Sequence, residues 1–197
     1  DSDDVIEAGD GLNFVLADNG SLQSSDDTTA LPTSLENKAD ANDGNDTYTG
    51  GAGTDYVIMG GRADTVDGGA GRNFILGDSG IMEFEASSPS GYTATLTSNA
   101  IIADHFDGDD TFTGTGGENF IIAGLGDADK TIEDKITFLG AGNNTIMTNS
   151  GSFKYTLEED GSENIVSTVT PLNALGIDGN DSVTTGAGRD IIALGMG

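Results

Sequence analysis

A nine-residue repeat constrains this chain more strongly than any other feature of its sequence. Between residues 41 and 76 four nonapeptides follow one another without a gap: ANDGNDTYT, GGAGTDYVI, MGGRADTVD and GGAGRNFIL. In every unit the sixth residue is Asp or Asn and the eighth is hydrophobic. Similar pairs of sixth-place residues, nine or ten residues apart, recur elsewhere: Asp4 and Asn13, Asp110 and Asn119, Asp134 and Asn144, Asp181 and Asp190. A period of this length is typical of stacked repeat architectures.

Each unit divides into a glycine-rich turn and a three-residue strand. Glycine at the first, second and fourth places permits positive φ angles and close backbone approach. The triplet that follows the Asp points one apolar side chain inward between two outward ones, as a short strand does. So short a strand is stable only when neighbouring coils stack on it. Two units then form one coil, which places Asp46 over Asp64 and Asp55 over Asn73.

The acidity of the chain makes this stacking a problem of charge. The sequence carries 34 acidic and 7 basic residues, for a net charge of −27. Carboxylates stacked at the spacing of adjacent strands, about 4.8 Å, repel one another unless a cation bridges them. Ca²⁺ suits such a site because it takes about six to eight oxygen ligands, whereas Mg²⁺ tends to keep its waters. Zinc lacks its usual ligands, since there is no Cys and His105 is the one His. The sequence therefore predicts several Ca²⁺ ions.

Several functional classes are excluded by the same composition. Nucleic acids and anionic membrane surfaces are recognised by clustered Lys and Arg, which this chain lacks. No apolar run approaches the roughly 18 residues that cross a bilayer, so we expect no membrane insertion. No HExxH or GxSxG motif is present, and no Cys or second His is available for a nucleophile–base pair. We therefore expect that the chain is not an enzyme.

The unit GGAGTDYVI and its in-frame neighbours resemble the RTX, or haemolysin-type, calcium-binding nonapeptide GGxGxDxUx. The resemblance covers about two-thirds of the chain. It implies an all-β fold, a right-handed parallel β-roll or β-solenoid of stacked nonapeptide turns with Ca²⁺ between successive turns. It also implies an extracellular protein that is exported by type I secretion and folds in extracellular calcium.

Applied place by place, the resemblance assigns calcium ligation to the sixth-place Asp residues: Asp4, Asp46, Asp55, Asp64, Asp110, Asp134, Asp181 and Asp190. Turn carbonyls such as those of Gly51 and Gly53 would assist. At block ends the sixth place is Asn, where a neutral amide gives either a weaker site or a purely structural cap: Asn13, Asn73, Asn119 and Asn144. Three further acids in the turns are either additional ligands or ordinary turn residues: Asp43, Asp107 and Asp178.

The sequence predicts one continuous repeat array, residues 1–197, cut from a longer protein. Its roll blocks are residues 1–20, 41–80, 105–151 and 176–197, separated by insertions at 21–40, 81–104 and 152–175. Alternating residues predict β-hairpins in the second and third insertions, projecting from the roll, and an irregular loop in the first. After each of the first three blocks, the place due for Asp holds a hydrophobe, Leu22, Met82 or Phe153, which would end the metal-binding array.

These features favour a calcium-binding structural segment of a large secreted or cell-surface protein. It would act as a calcium-stiffened spacer, an adhesin stalk, or a subunit of an extracellular filament or surface layer. Its partners would then be calcium, adjacent repeats of the same protein and other copies of it. One alternative is a calcium-dependent type I secretion and folding module of an enzyme or toxin whose catalytic domain lies elsewhere. Another is an ice- or surface-binding array on outward threonines such as Thr47 and Thr49, against which outward Asp67 and Lys135 argue.

Overall fold

The computed structural model describes residues 2–24, 31–38, 40–86, 91–98, 108–124, 134–169 and 180–194. Within these ranges the chain forms eighteen β-strands in three sheets of six strands each. The described residues form no helix, and hence no helix able to cross a membrane.

Two of the sheets are entirely parallel. The first parallel sheet contains, in spatial order, β1 (Val5–Glu7), β5 (Thr47–Thr49), β7 (Thr65–Asp67), β11 (Thr111–Gly114), β13 (Lys135–Phe138) and β17 (Ser182–Thr185). The second contains β2 (Leu12–Leu16), β6 (Thr54–Ile58), β8 (Arg72–Leu76), β12 (Glu118–Ile122), β14 (Asn144–Met147) and β18 (Ile191–Ala193). Strands of consecutive nonapeptides therefore alternate between the two sheets.

The register of the parallel strands confirms the predicted two-unit coil. Thr47 lies opposite Thr65, and Asp55 lies opposite Asn73, each pair 18 residues apart. Stacking continues across the second insertion, where Asn73 lies opposite Asn119. This layout is all-β and is consistent with a β-roll.

The eighth-place side chains form a core between the two parallel sheets. Eight of them are at most 1% exposed and form one hydrophobic cluster: Tyr48, Val57, Val66, Ile75, Phe112, Ile121, Ile136 and Ile146. In the outer strands, the eighth-place side chains of Ile6, Val15 and Val183 pack against this cluster while partly exposed, and Ile192 of β18 is 42% exposed. The inner strands therefore share one core and depend on one another.

The third sheet is antiparallel and consists of strands from the three insertions. Its strands are β3 (Gly20–Gln23), β4 (Ser34–Asn37), β9 (Gly80–Ala86), β10 (Tyr92–Ser98), β15 (Gly151–Leu157) and β16 (Glu163–Val169). The hairpins predicted in the second and third insertions are confirmed by the pairing of β9 with β10 and of β15 with β16. The irregular loop predicted for the first insertion is wrong, because β3 and β4 pair there.

The prediction that the hairpins project from the roll is also wrong. They pair with one another and pack on the second parallel sheet, where they bury a second hydrophobic core. That sheet carries hydrophobic side chains on its outward face as well as its inward one, and a surface of this kind must be covered. Four of these side chains stack in a column, Phe14, Tyr56, Phe74 and Phe120, with successive ring centroids 5.3, 4.7 and 4.7 Å apart.

The three hydrophobes that follow the first three roll blocks occupy equivalent places in the antiparallel sheet. Leu22 lies opposite Leu35, Leu35 opposite Met82, Met82 opposite Leu96, and Leu96 opposite Phe153. Met82 and Phe153 are fully buried in the second core, whereas Leu22, on the edge strand, is 52% exposed. Each hydrophobe therefore begins the cover of the second parallel sheet.

An arginine joins the second parallel sheet to its cover. Arg72 of β8 places its Nη2 2.6 Å from Glu118 Oε2 and 2.6 Å from Glu163 Oε1. Its Nη1 donates to the hydroxyl of Tyr155 at 2.8 Å, and that hydroxyl donates to Glu163 Oε1 at 3.0 Å. The cluster ties β8 and β12 to the third hairpin.

The substitution Arg72→Met should lower the stability of the calcium-loaded protein by about 2 kcal/mol, because it leaves Glu118 and Glu163 close together without a cation between them. Urea unfolding measures this change. Arg189→Met is the matched control, since Arg189 also holds the fifth place of a nonapeptide but is exposed. Equal losses in the two variants would contradict a specific role for the Arg72 cluster.

Candidate metal centre

Stacked carboxylates line the edge at which the chain enters the first parallel sheet, which we call the carboxylate edge. Each Asp Oδ1 accepts a hydrogen bond from the backbone N–H of the sixth-place Asp in the neighbouring coil. The distances are 2.8 Å for Asp4 N to Asp46, 2.7 Å for Asp46 N to Asp64, 2.8 Å for Asp64 N to Asp110, and 3.0 Å for Asp110 N to Asp134. The structure therefore brings these five predicted site residues into one ladder.

The second oxygen of these carboxylates is what makes the edge a candidate metal centre. Asp46 and Asp64 are each 1% exposed, and their Oδ2 atoms are buried without a hydrogen-bond partner. Burying a carboxylate oxygen in this way costs free energy unless a proton or a cation compensates it. Hard oxygen atoms at the spacing of neighbouring coils suit Ca²⁺, so the residues present fit the ion that the sequence predicts.

Two further acids extend the carboxylate edge. Asp43, in the turn before β5, is buried and has an Oδ1 without a hydrogen-bond partner, while its Oδ2 accepts from Asp40 N at 2.6 Å. Asp18 follows the end of β2, and its Oδ1 accepts from Gly44 N at 3.4 Å. Burial and then the charges of Asp43 and Asp46 raise the pKa of Asp18 to about 6. Burial also raises the pKa of Asp64 well above its ordinary value.

The sequence reasoning missed Asp18 and its counterpart Asp78, which accepts from Gly108 N at 3.4 Å. A signal for both was present, since ADNG and GDSG each begin directly after a strand of the second parallel sheet and carry Asp at their second place. Of the other predicted positions, Asp107, Asp178 and His105 lie outside the described residues. Within the part of the chain that is described, no three acidic or histidine side chains form a metal site on their own. A site here would therefore combine carboxylates of neighbouring coils with other oxygens.

The opposite edge, where the chain enters the second parallel sheet, has different chemistry; we call it the amide edge. Asn13 Nδ2 donates to Asp55 Oδ1 at 2.7 Å. The next donors form an unbroken series at 2.8 Å each: Asn73 Nδ2 to Asn119 Oδ1, Asn119 Nδ2 to Asn144 Oδ1, and Asn144 Nδ2 to Asp190 Oδ1. All four predicted Asn residues thus share one edge, and the side chains of neighbouring coils are joined directly at every step except that from Asp55 to Asn73.

The predicted turn carbonyls also lie on the amide edge. Gly51 O accepts from Ala70 N at 3.0 Å, and Gly53 O accepts from Arg72 N at 2.9 Å. A Cβ atom at Gly53 would lie 1.7 Å from Gly11 O, so glycine is required there. These carbonyls join each turn to the next.

Comparison with known proteins agrees with the sequence pattern. A family model described as the RTX calcium-binding nonapeptide repeat matches four segments, residues 37–57, 60–81, 106–127 and 175–197. No curated protein and no solved structure matches the chain. The structure adds β1, β2, β13 and β14, which stack in register outside the matched segments. RTX repeats bind Ca²⁺ ions, so calcium is confirmed as the cofactor.

The raised pKa values predict opposite responses to pH with and without calcium. In chelator the folded state binds protons that the unfolded state has lost, so its stability falls as pH rises from about 4 through the folded pKa values. Acidification from about pH 7.5 to about pH 5 should therefore increase β-structure in chelator, measured by circular dichroism. The same change should weaken calcium binding, because protons compete for the carboxylates. Loss of β-structure on this acidification in chelator would contradict the prediction.

Proposed function

Because this chain is a member of the RTX repeat family, with four copies of the calcium-binding nonapeptide, we propose that it is a calcium-stiffened structural segment of a large secreted or cell-surface protein. In this role it acts as a spacer, an adhesin stalk, or a subunit of an extracellular filament or surface layer. The observation that carries the proposal is the ladder of buried carboxylates along one edge, with Oδ2 atoms that lack hydrogen bonds at Asp46 and Asp64.

The proposed calcium ligands on the carboxylate edge are Asp4, Asp43, Asp46, Asp64, Asp110, Asp134 and Asp181, with Asp18 and Asp78 added from the structure. Asp107 and Asp178 remain proposed ligands from the sequence. An ion held between two coils fixes each coil to the next, and the loss of charge repulsion favours the compact state. Calcium then stiffens the stack of a right-handed β-roll along its length.

The proposed partners are further repeats of the same protein and other copies of it. The outermost parallel strands support this proposal, because they present exposed apolar side chains: Val5 and Leu12 at one end of the stack, and Ile191 and Ile192 at the other, with Leu194 just after β18. An uncovered strand edge with apolar side chains favours the addition of another strand. RTX repeats occur in secreted proteins, which supports an extracellular location and export by type I secretion. The stacking of six strands in each parallel sheet supports a continuous repeat array.

The two alternatives have less support. A secretion and folding module would require a catalytic domain in the parent protein, whereas the repeats themselves are structural and not catalytic. An ice-binding face would require two regular rows of outward Thr side chains on the first parallel sheet. Asp67 lies between Thr49 and Thr113 in one row. Lys135 lies next to Thr111 in the second row.

A calcium titration tests the proposal. In excess chelator at neutral pH the chain should lack most of its β-structure, because its net charge of −27 opposes a compact state. Calcium should restore that structure at about 10⁻⁴–10⁻³ M, the range of extracellular sites. Circular dichroism follows the folding, and electron microscopy of the same samples detects filaments. A complete β-spectrum in excess chelator would argue strongly against calcium-dependent folding.

A further inference from the structure

We infer that hydrogen bonds from Asn side chains take the place of calcium along the amide edge. Calcium binding is then confined to the carboxylate edge and to one step of the amide edge, where a step is one pair of neighbouring coils. The inference rests on the proposed function, because it names which edge of the stacked coils holds each calcium ion. It also resolves the two roles that the sequence left open for the sixth-place Asn residues, in favour of the structural one.

The first argument is the chemistry of the side chain. A carboxylate at neutral pH only accepts hydrogen bonds, so two stacked carboxylates need a donor or a cation between them. A carboxamide has an acceptor oxygen and two N–H donors, so stacked carboxamides can satisfy one another. The sixth place is Asp in all six coils at the carboxylate edge but Asn in four of the six at the amide edge.

The second argument is the position of the donors. Asn73 Nδ2 donates both to Gly68 O in its own turn and to Asn119 Oδ1 in the next coil, at 2.8 Å each. Asn13 Nδ2 does the same with Gly9 O at 3.0 Å and Asp55 Oδ1 at 2.7 Å. A turn carbonyl and the sixth-place oxygen of a neighbouring coil are the two kinds of oxygen that a bridging ion would contact. The N–H groups lie between them and would repel a cation.

The third argument concerns the pair Asp55 and Asn73, the one pair of neighbouring sixth-place residues on the amide edge without a hydrogen bond between their side chains. Asp55 and Asn73 are opposite each other in register, and Asp55 Oδ2 and Asn73 Oδ1 are both buried without a hydrogen bond of ordinary geometry. The Tyr48 hydroxyl is buried beside Asp55, and it too makes no hydrogen bond of ordinary geometry. Two acceptors therefore meet with no donor from either side chain. This step retains the same kind of oxygen atoms as the carboxylate edge, and we place the amide-edge ion there.

Paired substitutions on opposite edges test the inference by counting bound calcium ions. Asp64 and Asn119 are equally buried sixth-place residues of neighbouring coils, each 1% exposed. Asp64→Ala should reduce the number of ions bound per chain, measured by equilibrium dialysis, by at least one. Asn119→Ala should bind as many ions as the unmodified chain, while its thermal unfolding at saturating calcium shifts to lower temperature. Loss of an ion from Asn119→Ala would overturn the inference.

Asp55→Asn provides a third arm. This change supplies the missing donor toward Asn73, so it should remove one ion and leave the thermal unfolding temperature at saturating calcium unchanged or higher. An unchanged ion count would overturn the assignment of an ion to this step. If the unmodified chain binds no calcium, the proposed function fails, whereas ions at the Asn steps would refute only the present inference.

Crystals of the unmodified chain grown with calcium test the same point without any variant. Anomalous difference maps should show ions beside Asp46 and Asp64 and between Asp55 and Asn73. They should show none between Asn73 and Asn119 or between Asn119 and Asn144. A peak at either of these last two positions would overturn the inference.

Discussion

Burial of a sixth-place polar side chain at both the carboxylate edge and the amide edge is the constraint on which this structure depends. A sixth-place residue of the inner coils is buried because neighbouring coils enclose it, and a buried carboxylate or carboxamide must be hydrogen-bonded or bound to a cation. Each coil therefore needs the next one to satisfy its buried polar side chains. Asp46 N donates to Asp64 Oδ1 on one edge, and Asn73 Nδ2 donates to Asn119 Oδ1 on the other. The coils stack because each supplies these hydrogen bonds to its neighbour, and a single repeat cannot form them alone.

The outward faces of the two parallel sheets determine where the rest of the chain goes. The first parallel sheet presents mainly Thr and charged side chains, which remain in contact with water. The second presents an aromatic column that includes Tyr56 and Phe74, in which each stacked pair contributes about 0.5–1.5 kcal/mol beyond area burial. A sheet that is apolar on both faces needs layers on both sides. The insertions form the second layer, and the Arg72 cluster fixes it in place.

Much of this architecture was predictable from local pattern. The nine-residue period located the short strands, their register and the inward side chains, since each depends only on neighbouring residues. The cover sheet was not predicted, because the pairing of β4 with β9 and of β10 with β15 joins different insertions, and nothing local in SLEN or FKYTL specifies that partner. The apolar outward residues beside Val57 and Ile75 are visible in the sequence, but they do not show which segment covers that face. Asp18 was not predicted either, because its place in ADNG is visible in the sequence but its contact with Gly44 depends on the fold.

The nonapeptides are of two kinds, and their alternation explains the separation of functions across the molecule. Units such as MGGRADTVD combine a sixth-place Asp with outward Thr or Asp, whereas units such as GGAGRNFIL combine a sixth-place Asn with outward Phe and Leu. Because alternate units form opposite sides of the coil, this two-unit period assigns carboxylates and a polar face to one side. The other side receives an apolar face, with Asn at four of its six sixth places. The side that we propose binds calcium is thus kept apart from the side that holds the aromatic core. In this proposal calcium joins neighbouring coils along the carboxylate edge. The antiparallel sheet packs on the second parallel sheet, whose sixth-place side chains are mostly joined by hydrogen bonds.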